Sequence, residues 1–102
     1  MEKEKAVRIA SDFAKEARRV YPGSSVYLFG SQAKGCAGPQ SDIDVAIVID
    51  AFPEDPWECF WRDGLLWEAA ALTGHPVEPT VLPIDEPSGL LKNVVETGIR
   101  LA

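Results

Sequence analysis

A chain of 102 residues, 46% apolar and 25% charged, has room for one soluble domain, residues 1–102, around one core. Its formal charge of −6 comes from 10 basic and 16 acidic residues. That balance excludes broad binding to nucleic-acid backbones, which needs clustered Lys and Arg, but not a nucleotide arriving with its own metal.

No signal peptide, lipidation motif or long apolar run occurs in the sequence, so a cytoplasmic protein without membrane contact is expected. The two cysteines, Cys36 and Cys59, have no ligand-like spacing. Reduced thiols fit them, with one disulfide as the alternative.

Residues 3–20 carry Ala6, Val7, Ala10, Phe13, Ala14, Ala17 and Val20 at steps of three and four, which predicts an amphipathic helix ended by Pro22-Gly23. Residues 25–29 predict a short strand, and residues 31–40, with Gly35, Gly38 and Pro39, a loop or short helical turn. Residues 43–49 read Ile-Asp-Val-Ala-Ile-Val-Ile, a central strand buried on most of both faces. Residues 57–72 predict a second helix closed by Thr73-Gly74. Residues 77–82 predict a strand whose Pro79 cannot donate to a ladder and so favours an edge or a bulge. Residues 87–97 predict a last helix, and Ile99-Arg100-Leu101 adds a terminal strand. The order implies an α+β fold: a mixed sheet of three to four strands packed against helices.

The chemistry-bearing run is Gly30-Ser31-Gln32-Ala33-Lys34-Gly35, followed by Ser41-Asp42-Ile43-Asp44. A Gly-Ser turn after a strand offers backbone N–H groups and a hydroxyl to phosphate oxygens. Asp42 and Asp44, two apart on a strand, project to one face and can hold Mg²⁺ between the protein and a nucleotide's phosphates. Each half alone also describes ordinary turn residues; the pair, in order and at strand ends, is specific.

These residues, with Val45, resemble the signature of the polymerase-beta-like nucleotidyltransferases. In size and element order the chain looks like their minimal, MNT-type members, and the resemblance extends to the closing Glu96-Thr97-Gly98-Ile99-Arg100-Leu101. It implies the nucleotidyltransferase fold and Mg²⁺-dependent transfer of a nucleoside monophosphate with pyrophosphate leaving. Carried over by position, Gly30 and Ser31 hold the triphosphate of ATP or another nucleotide, and Asp42 and Asp44 bind metal. The family's third carboxylate, metal ligand and base for the incoming hydroxyl, is usually an aspartate; here the matching position holds Glu78. Glu is one methylene longer, and Pro79 beside it could redirect the strand. Lys34, where the family often has arginine, meets phosphate as a point charge without the bidentate fork, or is simply solvated.

Other acids are excluded on distance or setting. Asp50 shares the parity of Asp44 but at about 3.3 Å per residue lies roughly 20 Å away. Asp85 and Glu86 precede Pro87 as helix N-terminal acids. His75, the single histidine, reads as an exposed or capping residue, and Cys36 as a small loop filler. Residues 57–72 place Trp57, Cys59, Phe60, Trp61, Leu65, Leu66, Trp67 and Leu72 on more than one helical face. Some of the tryptophans then either form a contact patch or pack in the core.

Larger members of the family carry a further helical domain for the second substrate, and minimal ones are commonly paired with a HEPN-type protein as antitoxin and toxin. The resemblance therefore implies an antitoxin that transfers AMP from ATP to a tyrosine of a HEPN-type toxin, with homo-oligomers also open. The alternative is a non-catalytic module of the same fold that neutralises its partner by occlusion. The direction of Glu78 discriminates: toward the aspartate pair for catalysis, away for occlusion. A small-molecule adenylyltransferase is a third reading, which would need the pocket that the further domain supplies.

Overall fold

The computed structural model describes residues 2–35, 38 and 41–102. Helix α1 (Lys3–Val20) buries Ala6, Ile9, Ala10, Phe13, Ala14 and Ala17. Four of these six are alanines, so the helix backbone lies close to the sheet. Strand β1 (Ser25–Phe29) runs directly into a one-turn helix, α2 (Gly30–Lys34), which ends at Gly35 in the left-handed region. The short-turn option for residues 31–40 is thus realised in its first half; Cys36, Ala37, Pro39 and Gln40 fall outside the described residues.

Strand β2 (Ile43–Ile49) is followed by helix α3 (Pro56–Leu72), strand β3 (Val77–Pro83), helix α4 (Leu90–Thr97) and the two-residue strand β4 (Ile99–Arg100). The sheet order is β3-β2-β1-β4, with β1 antiparallel to both β2 and β4, and β2 parallel to β3. A parallel pair needs a long crossover, and α3 supplies it.

Strand parity divides the residues between two faces. Val26, Leu28, Ile43, Val45, Ile47, Ile49 and Val77 join the core cluster of α1 and α3, with Leu66 and Ala70 from the latter. On the other face Ala46 and Leu82 pack with Val94 of α4, flanked by Tyr27, Phe29 and Leu91. The α1–α3 seam is tied by Arg62, which pairs with Glu58 at 2.8 Å, donates to the Val20 carbonyl, and lies over the rings of Tyr21 and Trp61 at 5.4 and 4.8 Å.

Pro79 sits on the edge strand, as its missing donor requires. The bonds bounding the pairing, Ile43 N–H to the Pro76 carbonyl at 2.8 Å and Ile84 N–H to the Ile49 carbonyl at 2.9 Å, put even-numbered β3 residues in the ladder. Odd-numbered Pro79 therefore turns its nitrogen to the open edge, and the strand continues through it in register with Val45.

Two helix starts differ from the sequence expectation. Helix α3 begins one residue earlier, at Pro56, where the Asp55 carboxylate accepts from Trp57 N–H at 2.9 Å. Helix α4 begins at Leu90 rather than at residue 87. There the Glu86 carboxylate accepts from the backbone of Ser88 at 2.8 Å and of Leu91 at 3.2 Å, so 87–89 form a capped turn instead. Those hydrogen bonds, with that of the Ser88 hydroxyl first, also hold the Glu86 carboxyl below its ordinary value.

Candidate active site

Because Ile43, Val45, Ile47 and Ile49 are all committed to the α1–α3 core, Asp44 is forced onto the opposite face. It stands opposite Phe29 of β1 on one side and Glu78 of β3 on the other. Asp42 lies two residues earlier, exposed, just ahead of the strand. Glu78 is exposed and Asp44 half-buried.

Asp44 feels both of the other acids. The Asp44 carboxyl is held above the ordinary aspartate value, first by burial, then by the negative charge of Glu78, then by that of Asp42. A carboxylate half out of water with two like charges beside it favours either a proton or a cation.

Gly30 closes the fourth side. Its φ is +74°, and a Cβ there would lie 2.5 Å from Oδ2 of Asp44. The position thus excludes side chains twice, by backbone conformation and by space. Ser31 is half-buried on the first turn of α2, and Lys34 is exposed at its end.

Gln32, between them, is a structural residue that the sequence reading passed over. It is 1% exposed, and its Nε2 donates to the Ser41 carbonyl at 3.3 Å. That bond ties the turn after β1 to the residue ahead of Asp42. Its Oε1 is buried without a partner among the described residues. A buried amide in a one-turn helix leaves no periodic signal, which is why the pattern did not reveal it.

The remaining candidates lie apart from the acids. Asp50 is exposed at the other end of β2, and Asp85 is exposed in the turn after β3. His75 is half-buried in the turn before β3, its N–H donating to the Thr73 hydroxyl at 3.2 Å. Cys59 is a free thiol whose Sγ donates to the Pro53 carbonyl at 3.2 Å. A groove of about 560 Å³ lies on the opposite side of the sheet, between α1 and α3; the acids stand on the face that also carries α4.

The donor set fits Mg²⁺. All three groups are hard carboxylate oxygens, and the raised Asp44 marks a local excess of negative charge. Among the described residues no three acid, His or Cys side chains close on a metal by themselves. Mg²⁺ is commonly held by one or two carboxylates, completed by water and substrate phosphates, rather than by an all-protein cage. Also among the described residues, no helix is long and apolar enough to cross a membrane.

Residues 10–99 match the family described as nucleotidyltransferase domain. A search of curated proteins finds no match. Among solved structures, a protein from Sulfolobus solfataricus described as a candidate nucleotidyltransferase superposes with a TM-score of 0.66 at 21% identity, over 96% of this chain and 80% of that one. An MntA–HpeT toxin–antitoxin structure, in a variant with two aspartates two residues apart changed to glutamate, gives 0.64 at 25% identity, over 91% of this chain and 72% of that one. A toxin–antitoxin structure with AMP-PNP gives 0.63 at 26%, over 90% and 72%. With the family matched over most of its length and the fold shared with these structures, the chain belongs to the nucleotidyltransferase domain family and is a nucleotidyltransferase.

Proposed function

We propose that residues 1–102 act as one nucleotidyltransferase domain that moves AMP from ATP to a tyrosine hydroxyl of a HEPN-type toxin, as its antitoxin. The observation that carries the catalytic half is the alignment of Glu78 with Asp44 across β2 and β3, unbroken by Pro79. The toxin–antitoxin neighbours, one of them bearing AMP-PNP, support the nucleotide and the partner. A net charge of −6 suits a basic partner. The free thiol of Cys59 suits a reducing, cytoplasmic setting.

In this reading Asp42 and Asp44 would hold Mg²⁺, which would supply charge neutralisation at the phosphates. The backbone of Gly30 and Ser31, with the Ser31 hydroxyl, fixes the triphosphate, and Lys34 adds a positive charge at its edge. Glu78, alongside Asp44, would take the proton of the acceptor hydroxyl. The new bond joins that oxygen to the α-phosphorus; the bond to the bridging oxygen breaks and pyrophosphate leaves. The fold contributes position, and an error near 1 Å costs about a hundredfold.

The test is transfer from α-labelled ATP with Mg²⁺ in a lysate of the source organism, against the Asp42→Asn, Asp44→Asn double variant. A labelled protein band that vanishes with the variant supports the reading, and mass spectrometry of the band names the acceptor residue. Capture of a partner without any label would replace transfer by occlusion.

A further inference from the structure

The two aspartates of the site rest on different supports. Asp44 lies inside β2, opposite Phe29 on one side and Glu78 on the other, and the backbone ladders that fix those neighbours fix it as well. Asp42 is outside them: the pairing with β3 begins at Ile43, and that with β1 reaches only to Asp44. It is also exposed, so burial does not hold it either. Two carboxylates that share one cation need a fixed separation, and the sheet sets only one of them.

The residue before Asp42 supplies the second support. Ser41 N–H donates to the Gly38 carbonyl at 3.2 Å, and the Ser41 hydroxyl accepts from Gly38 N–H at 2.9 Å. The Ser41 carbonyl accepts from Gln32 Nε2 at 3.3 Å. The first two bonds close a turn on itself, while the third reaches back nine residues to α2. The Ser41 carbonyl and the Asp42 N–H belong to one planar peptide unit. A donor that fixes the carbonyl therefore fixes the direction in which the chain enters Asp42. Gln32 follows Ser31 on α2, and its other neighbour, Ala33, is anchored in the core cluster with α1 and α3. The bond thus refers Asp42 to the same turn that carries Gly30 and Ser31.

As a filler alone, Gln32 would be a poor choice. It is 1% exposed, and its Oε1 is buried without a partner among the described residues. A buried oxygen that lacks a donor lowers stability. Methionine, of similar length and with no amide to satisfy, would occupy the place without that penalty. Packing gives no reason for an amide here; the bond to Ser41 does.

We propose that Gln32 is a positioning residue for the metal site. From α2 it holds the Ser41–Asp42 peptide, and through it the Asp42 carboxylate, in place relative to Asp44 and the Gly30–Ser31 turn. The assignment rests on the reading of Asp42 and Asp44 as the groups that hold Mg²⁺. Gln32 itself touches neither metal nor nucleotide in this role.

Gln32→Met tests it on the purified chain with three readouts. Melts of the metal-free protein should show the variant as stable as wild type or more so, because the unpaired Oε1 is gone. Ser41 is half-buried, so water can take over its carbonyl. Calorimetric affinity for Mg·ATP should fall roughly tenfold, the lower end of what losing a group that orients a metal ligand costs. In amide NMR spectra of the metal-free protein the Asp42 N–H should shift, while that of Asp44, held by the ladders, should stay.

A variant that binds Mg·ATP as tightly as wild type overturns the proposal and leaves the reading of the site intact. So does one that melts lower or fails to fold, or one in which the Asp42 and Asp44 amides move together, since each marks a general structural role. Wild type that does not bind Mg·ATP at all overturns the reading of the site itself, and the proposal with it.

Discussion

Replacing Gly30 by alanine should injure the site far more than the fold. At φ +74° an alanine pays the left-handed penalty of about 1–2 kcal/mol. Its Cβ would also stand 2.5 Å from Asp44 Oδ2, where ordinary contact begins at 3.4 Å, so a gap of 0.9 Å must open. Pushing the aspartate off its rotamer adds about 0.5–1.5 kcal/mol, for a total near 2–3 kcal/mol. A carboxylate displaced by nearly that gap should slow transfer by about a hundredfold. Gly74→Ala is the control: φ is +73° there, and nothing described lies within 4 Å of the added carbon. Urea unfolding should show both variants weakened by the backbone term, with Gly30→Ala the weaker. The initial rate of label transfer per folded molecule should fall only for Gly30→Ala. Near wild-type labelling by Gly30→Ala, or an equal fall in both, would refute the argument that this glycine exists to clear Asp44.

Three further outcomes are expected. Folding raises the Asp44 carboxyl above its unfolded value, so its contribution to stability is present below the unfolded pKa and lost as pH rises through the folded one. Thermal melts of metal-free protein should therefore show wild type losing stability relative to Asp44→Asn as pH climbs through the range just above the ordinary aspartate value; parallel curves would contradict this. Glu78→Gln should cut labelling by roughly 10²–10³-fold, the worth of a general base, with calorimetric Mg·ATP affinity changed little, and Glu78→Asp should keep part of the rate. If Glu78→Gln labels normally, the base lies elsewhere. Arg62→Ala loses the Glu58 pair, the bond to Val20 and two ring contacts, and should cost about 2–3 kcal/mol in denaturant. Its labelling per folded molecule should stay at the wild-type rate, since Arg62 serves the α1–α3 seam behind the sheet.

The elements whose burial is one-sided were legible from sequence. Helix α1 and strand β1 fall where the apolar spacing places them, because one period satisfies one buried face, and β2 was legible as a continuous apolar run buried on most of both faces. Of the edge or bulge that Pro79 allowed, β3 takes the edge, since a missing N–H is a local fact with a global consequence. The start of α4 was misplaced because the Glu86 carboxylate accepts from the N–H groups of Ser88 and Leu91 and so holds 87–89 as a capping turn ahead of Leu90. Sequence could not show that Gly30 abuts Asp44 or that Gln32 ties the turn to Ser41, for both contacts join different elements and need the β1–β2 register. The outward face of α3 was half legible. Its apolar residues were plain, but which of them the core absorbs depends on where α1 lies.

One strand sets the terms for the site. Ile43, Val45, Ile47 and Ile49 are so completely claimed by the α1–α3 core that a slip of one residue in β2 would bury Asp44 among them. The apolar half of the strand therefore fixes the charged half, at a register that brings Glu78 alongside. The arrangement opposes ionisation there: burial and two neighbouring acids all raise the Asp44 carboxyl. Acids that served only as solvated strand ends would sit in water, as Asp50 does at the far end of the same strand. A cation that binds the folded state and not the unfolded chain removes that opposition, and by mass action its binding adds to stability. The raised Asp44 carboxyl is thus what the proposed metal, brought with the nucleotide, would relieve.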